Sequence, residues 1–412
     1  MPGTTPLGAS AAARELTPPM CTSRFDSLSL PFTCSIARGR PLGDDMPTHP
    51  NPSNIRPHAI TWEDVAAGIM LTAGVVNAAR TGGRAALERE LLLRSRRTWM
   101  PQAVGLDILL LSSHASKLAP PSAPNGGGSA ADWPLPAPPW FPADAALPTM
   151  HWRGFYGRDK LGVSLWRKTG SLLTAMLRNF PSRKRLFLKI DSDTLLLPPA
   201  LLAFLSALHG GTPKGVPLYF GSNRIASKTR FCTGRNCFLR SWQWRALAAN
   251  ITSRSGSSSS SGSTSFCESD EPSYAQGGAY GFDRRALTLL ASDNCLEKVF
   301  GAIAAFDKQA SPQLFEDEAV GLCMRLHNVR LVTCGCFYDW GPCDINKFER
   351  SCAPDTNASR ICHLPLTVHK LRQVGWFDGW WQHLSTRIPP AMTALDGWKS
   401  HWDASGFPLL VH

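Results

Sequence analysis

The chain has 412 residues, and Gly 34 with Pro 33 make up roughly one residue in six against a usual one in eight, so part of it is not built from regular elements. Hydrophobic residues reach 43% and charged residues only 18%, which excludes wholesale disorder and leaves enough apolar material for one large domain or two small ones. The formal charge of +12 asks for an anionic partner, but it does not choose among nucleic acid, phosphorylated small molecules and acidic membranes.

Residues 1–57 are rich in Pro, Ser and Ala with no period of 2 or 3.6, and read as a disordered leader. They offer scattered Arg14, Arg24, Arg38 and Arg40 rather than the basic start and apolar run of a signal peptide. No stretch approaches the roughly 18 to 20 apolar residues of a membrane-spanning helix, Val65–Ala79 being the nearest. We read that stretch as a buried strand and its following loop, at the start of a folded domain spanning 58–382. Leu106–Leu111 is a second short apolar run of the kind found in buried parallel strands. Pro-rich 114–150 reads as a long flexible surface loop, and 251–266, nearly pure Ser and Gly, as a mobile insertion.

Leu161–Phe180 has helical spacing, Arg185–Ile190 reads as a strand, Pro199–His209 as a helix with proline in its first turn, and Pro217–Gly221 as a strand. An amphipathic helix is expected from about Asp283, and another opens at Glu316. Helices alternating with buried strands predict an α/β fold with a mostly parallel central sheet and helices on both faces, whose ligands sit beyond the carboxyl ends of the strands. Residues 383–412 read as a tail, and the Trp-rich stretch around Trp376, Trp380 and Trp381 as a packing cap over the sheet or a surface on which sugar rings stack.

Ten of the twelve cysteines fall between Cys232 and Cys362. A dense, even set fits disulfides in an oxidising compartment. Close pairs such as Cys334 with Cys336 do not repeat as the paired knuckles that mark zinc. The sequons at Asn250 and Asn357 agree with a lumenal setting.

The strongest chemical feature is Leu186-Phe-Leu-Lys-Ile-Asp191-Ser-Asp193-Thr194, a hydrophobic strand ending in two carboxylates one residue apart. In extended backbone such alternate side chains share a face, and two clustered carboxylates call for a cation such as a hard divalent ion gripping a diphosphate. The aspartate-nucleophile reading of the same residues is disfavoured because Thr194 falls one place too early. Gly277-Gly278 lets backbone approach a ligand closely or makes a tight turn into a helix. Glu316 and Asp317 open a helix, where acidic residues commonly only complement the dipole.

Trp166-Arg-Lys168-Thr169, FLKIDSDT at 187–194, YFG at 219–221, YAQGGA at 274–279 and Phe315-Glu-Asp317-Glu-Ala-Val-Gly321-Leu-Cys323-Met occur in one order. That order and spacing resemble the Fringe-like and core 1 galactosyltransferase-like group of family 31 glycosyltransferases, over about Ile60 to Trp381. Arg94-Ser-Arg-Arg-Thr98-Trp99 resembles an early element of the same family. The chain departs from the family's Gly-Gly-Ala-Gly-Tyr by reading Gly277-Gly278-Ala279-Tyr280-Gly281.

The resemblance implies a GT-A, Rossmann-like nucleotide-sugar transferase fold and an inverting, Mn²⁺-dependent enzyme. Such an enzyme moves a hexosyl group, galactose or N-acetylhexosamine in a β-1,3-type linkage, from a UDP-sugar to an acceptor hydroxyl of a glycan or glycoprotein. It implies Asp193, with Asp191, as metal and donor ligands, His369 in Pro365-Leu-Thr-Val-His369-Lys370 as the histidine ligand with His363 as alternative, and Lys168, Gly277 and Gly278 at the donor. Asp317 is then the general base with Glu316 as fallback, and Cys295–Cys323 a disulfide that fixes their helix. It also implies a Golgi or other secretory lumen and membrane association, with a homodimer allowed, although no anchor is visible. The alternative is a catalytically silent relative that binds a glycan or acts as a chaperone-like partner. Nucleic-acid binding is not expected, since the basic residues are scattered.

Overall fold

A computed structural model describes residues 35–36, 59–72, 74–76, 83–114, 133–156, 163–212, 214–225, 273–292, 294–299, 316–327, 329, 331–333, 337–338 and 366–385, all within one unit, Pro31–His412. The strands are β1 (Ser35–Ile36), β2 (Val65–Leu71), β3 (Asp107–His114), β4 (Trp133–Pro134), β5 (Thr149–Tyr156), β6 (Leu186–Asp191), β7 (Leu195–Leu196), β8 (Tyr219–Ile225), β9 (Ser273–Asp283), β10 (Leu331–Thr333), β11 (Phe337–Tyr338) and β12 (Thr367–Val368). The helices are α1 (Gly83–Arg97), α2 (Val163–Asn179), α3 (Pro198–Gly211), α4 (Arg284–Ser292), α5 (Glu316–Leu326) and α6 (Val374–Ser385).

The main sheet has nine strands in the order β1-β10-β8-β9-β6-β2-β3-β5-β4. Strands β10, β8, β6, β2, β3 and β5 share one direction, while β9, β1 and β4 run against them, so the expected mostly parallel α/β sheet is present. β2 sits near its middle with every residue buried, as its continuous apolar run requires. Its side chains alternate between two cores: Val65, Ala67, Ile69 and Leu71 join residues of α1, α3 and α6 on one face, while Ala66 and Met70 join residues of α2, α4 and α5 on the other. Helices therefore cover both faces. α2 approaches β2 so closely that a Cβ at Gly68 would stand 2.6 Å from Met176 Sδ.

The second half of the 114–150 stretch departs from the flexible loop expected there. β4 pairs with β5, and Phe141 and Leu147 are buried in the core, anchored by edge-to-face contacts among Trp140, Phe141 and Trp152. The prolines between these aromatic residues erase the periodicity by which a sequence announces a packed segment. The first half, and the 251–266 insertion, lie outside the described residues. So does the 1–57 leader, apart from β1, which pairs antiparallel with β10.

A small second sheet, β11-β12-β7, has β12 antiparallel to β7 through Thr367 opposite Leu196 and Val368 opposite Leu195. It follows directly on the turn after β6 and brings the residues near 369 back to the end of that strand. α6 carries the tryptophan-rich segment past the expected boundary at 382, with Phe377, Trp380 and Leu384 buried and Asp378 paired to Arg94 of α1 at 3.2 Å. The packing-cap role holds for Trp380. Trp99 of the early Arg-Thr-Trp element is likewise core, and Thr98 Oγ1 donates to Arg94 O at 2.8 Å to close the end of α1.

Candidate metal and catalytic site

Asp191 is the last residue of β6, so it stands at the carboxyl edge of the parallel strands, where α/β sheets bind ligands. The strand does not continue to Asp193 as simple alternation would have it. Thr194 N donates to Asp191 O at 3.1 Å, closing a turn, and that turn swings Asp193 back toward Asp191. His369 follows β12 and reaches both: its Nε2 is 3.3 Å from Asp191 Oδ2 and 3.2 Å from Asp193 Oδ1. Leu371 N donates to Asp193 O at 3.0 Å, which pins the chain just after the histidine, and Lys370 takes a positive φ of 65° to make the bend.

One ligand atom from each of Asp191, Asp193 and His369 lies within 4.8 Å of the others. Two carboxylates, one on the end of β6 and one in the turn after it, and an imidazole just past β12 fit a divalent cation of the Mn²⁺ kind, and the same donor set accepts other first-row ions. His363, the alternative histidine, lies outside the described residues.

The paired glycines lie inside β9 rather than in a turn. Gly221 pairs with Tyr280 and Asn223 with Ala275, so β9 spends five residues where β8 spends two. The excess bulges over the end of β6. Gly278 is required by what it faces, since a Cβ there would stand 2.6 Å from His369 Cβ and closer still to its ring; a Cβ at 277 would press more lightly, meeting Glu316 Oε1 at 3.2 Å and Asp317 Oδ2 at 3.3 Å. Thr194 Oγ1 donates to Gly278 O at 3.0 Å, fastening the bulge to the Asp-x-Asp turn. The Tyr280-Gly281 order has a steric cause, since a Cβ at 281 would stand 2.6 Å from Phe220 Cε2. Tyr280 instead projects into the core shared with α5.

α5 begins at Glu316 as expected, but its acidic first turn is not solvated: Glu316, Asp317 and Glu318 are all buried. Asp317 Oδ2 accepts from Gly277 N at 2.9 Å and its Oδ1 from Glu318 N at 3.0 Å, so two backbone donors orient the carboxylate. The Cys295–Cys323 disulfide joins this helix to the chain just after α4.

Lys168 reaches the same edge of the sheet from α2 and donates to Leu71 O, at the residue after the Met70 that pairs with Asp191. Further residues to which sequence reasoning gave no role complete the surroundings. Lys189 Nζ is fully buried and lies 2.6 Å from Asp191 Oδ1, and Arg372 Nε lies 3.4 Å from Asp193 Oδ2. At the end of β2, Glu88 Oε2 accepts from Thr72 N at 2.6 Å, while its Oε1 pairs with Arg84 Nε at 3.0 Å. Desolvation would push the Asp191 carboxyl up, but the Lys189 ammonium and then His369 outweigh it and hold that carboxyl well below the usual carboxylate range. Burial pushes Glu88 up, only partly offset by Thr72 and Arg84. The one legible signal for Lys189 was a lone cation between Leu188 and Ile190 in an otherwise apolar strand.

Comparison with protein-family models gives no match, and comparison with the curated proteins gives none. Among the described residues no helix is long and apolar enough to cross a membrane.

Proposed function

We propose that the chain is an inverting GT-A glycosyltransferase of the family 31 kind, moving a hexosyl group, galactose or N-acetylhexosamine, from a UDP-sugar to a glycan or glycoprotein hydroxyl with Mn²⁺. The observation that carries this reading is the meeting of Asp191, Asp193 and His369 at the carboxyl edge of the sheet, with the buried acidic turn of α5 bound to the same strand bulge. The resemblance in motif order supports it independently.

In this reading Asp191, Asp193 and His369 hold the cation, which when bound supplies positive charge against the diphosphate leaving group. Arg372 pairs with Asp193, and Arg84, paired to Glu88, adds a positive field felt by both aspartates. Gly277 and Gly278 present bare backbone where the sugar lies. Asp317, oriented by its two backbone donors, takes the acceptor hydroxyl's proton as that oxygen attacks the anomeric carbon from the side opposite the diphosphate, so the configuration inverts. Glu316 is engaged by Lys189 at 3.1 Å, which favours Asp317 as the base. An oxidising secretory compartment, the Golgi lumen in particular, suits a chain with a disulfide beneath its catalytic helix.

The test is UDP release from a panel of UDP-sugars with Mn²⁺. Release by the wild type, lost in Asp193→Ala and Asp317→Ala, supports transfer. Donor binding without turnover by any acceptor class would replace it with the silent, glycan-binding relative.

A further inference from the structure

We propose that Lys189 is a positioning residue that ties the carboxylate pair at the end of β6 to the acidic first turn of α5, fixing the separation between the cation-binding and proton-accepting halves of the site. What those halves do rests on the transfer reading; the tie itself rests on geometry. The Lys189 side chain is 0% exposed, and its ammonium meets three acceptors: Asp191 Oδ1 at 2.6 Å, Gly277 O at 2.5 Å and Glu316 Oε1 at 3.1 Å. An ammonium has three N–H donors and no acceptor, so this set satisfies it completely. The three acceptors belong to β6, the β9 bulge and α5, the elements whose relative placement defines the site.

Tyr280 is the cross-strand partner of Lys189, and its ring centroid lies 5.3 Å from the ammonium, closing the remaining side with an aromatic face. The circuit is completed by Asp317, which neighbours Glu316 and accepts from the N–H of the same Gly277 whose carbonyl receives Lys189. Sliding α5 relative to Asp191 therefore breaks a buried charge-assisted hydrogen bond, and the Asp317 carboxylate cannot drift by itself.

The ammonium also competes. It occupies Asp191 Oδ1 and leaves Oδ2 facing His369, so a cation bound there is repelled by a fixed positive charge while the site is organised by it. These two effects separate on substitution. Lys189→Met removes the repulsion and the tie together, so Mn²⁺ should bind about tenfold tighter by calorimetry without donor, while kcat for UDP release falls about 100-fold with donor KM changed less than about threefold. General loosening of the fold would weaken metal binding and activity together. Adding Glu316→Gln to Lys189→Met should cost no further activity, because the tie is already broken.

Weaker Mn²⁺ binding in Lys189→Met, an unchanged kcat, or multiplying losses in the double variant would each overturn the proposal. If Lys189→Met does not fold, the double variant is compared with Glu316→Gln alone, in which Lys189 still holds Asp191 and Gly277; equal kcat values overturn the proposal and a further loss of about tenfold supports it. A wild-type chain that consumes no UDP-sugar fails the transfer reading separately; the tie is then decided by urea unfolding of Lys189→Met, Glu316→Gln and the double variant, where losses that simply add overturn it and a double variant no less stable than Lys189→Met supports it. A wild-type chain that binds no Mn²⁺ overturns both.

Discussion

Replacing Gly278 by alanine adds a single methyl group, and the structure says where it goes. The new carbon would lie 2.6 Å from His369 Cβ and closer to the ring, against an unstrained carbon–carbon contact of about 3.5 to 4.0 Å. Gly278 does not have the positive φ that would forbid alanine, so the whole effect is steric. Relief requires the imidazole or the bulge to move by about 1 Å, whereas metal–ligand distances tolerate only about 0.2 Å. His369 Nε2 starts 3.2 Å from Asp193 Oδ1, so the shift breaks the three-ligand set rather than adjusting it. Mn²⁺ affinity should fall about 10- to 100-fold, or about 1.4 to 2.8 kcal/mol, with the fold retained. Calorimetric Mn²⁺ titration, paired with a thermal melt, measures both. Gly277→Ala is the control: its methyl meets Glu316 and Asp317 at 3.2 and 3.3 Å and leaves His369 alone, so turnover should drop while Mn²⁺ affinity holds. A Gly278→Ala protein that binds Mn²⁺ like the wild type would refute the reasoning.

His369→Ala should lower Mn²⁺ affinity more than His363→Ala in the same titration, and the reverse order would reassign the histidine ligand. Replacing both Cys295 and Cys323 by serine opens a loop whose ends are 28 residues apart, which by loop entropy costs about 3.5 kcal/mol; denaturant unfolding checks it, and an unchanged midpoint would deny the disulfide a stabilising role. At the opposite edge of the sheet, Asp107 accepts from His151 at 3.0 Å and from buried Lys184 at 2.7 Å; desolvation opposes these bonds, but they prevail and hold its carboxyl below the ordinary value. A depressed carboxyl contributes stability that is present above its unfolded pKa of about 3.9 and lost as pH falls through its folded value. Asp107→Asn, which takes the carboxylate from buried Lys184 and leaves it the Gly105 carbonyl at 3.2 Å, should therefore cost about 3 kcal/mol at pH 7 and progressively less below about pH 4 in urea titrations; a deficit independent of pH would contradict this.

The strands β2, β3 and β6 and the starts of α3 and α5 were legible because each is written in consecutive residues: a continuous apolar run for a strand buried on both faces, proline at a first helical turn, acidic residues where a helix begins. The Asp-x-Asp pair at a strand end was legible for the same reason. Packing around 133–150 was not, since proline-spaced tryptophans and phenylalanines carry no period and only the partner strand β5 gives them a surface to bury against.

The sequence by itself determined β2, β3, β6 and the starts of α3 and α5, and the kinds of side chain that could hold a cation. Tertiary structure decided which of them meet. His369 joins Asp191 and Asp193 only because β12 pairs with β7, and Gly278 must be glycine only because His369 then lies against it. Lys189 becomes the centre of the site only because β9 lies between β6 and β8, placing Tyr280, Gly277 and α5 around it. Local pattern records which face a residue turns toward; what waits on that face is set by sheet order and by pairings between segments distant in the chain, and no single stretch of residues encodes it.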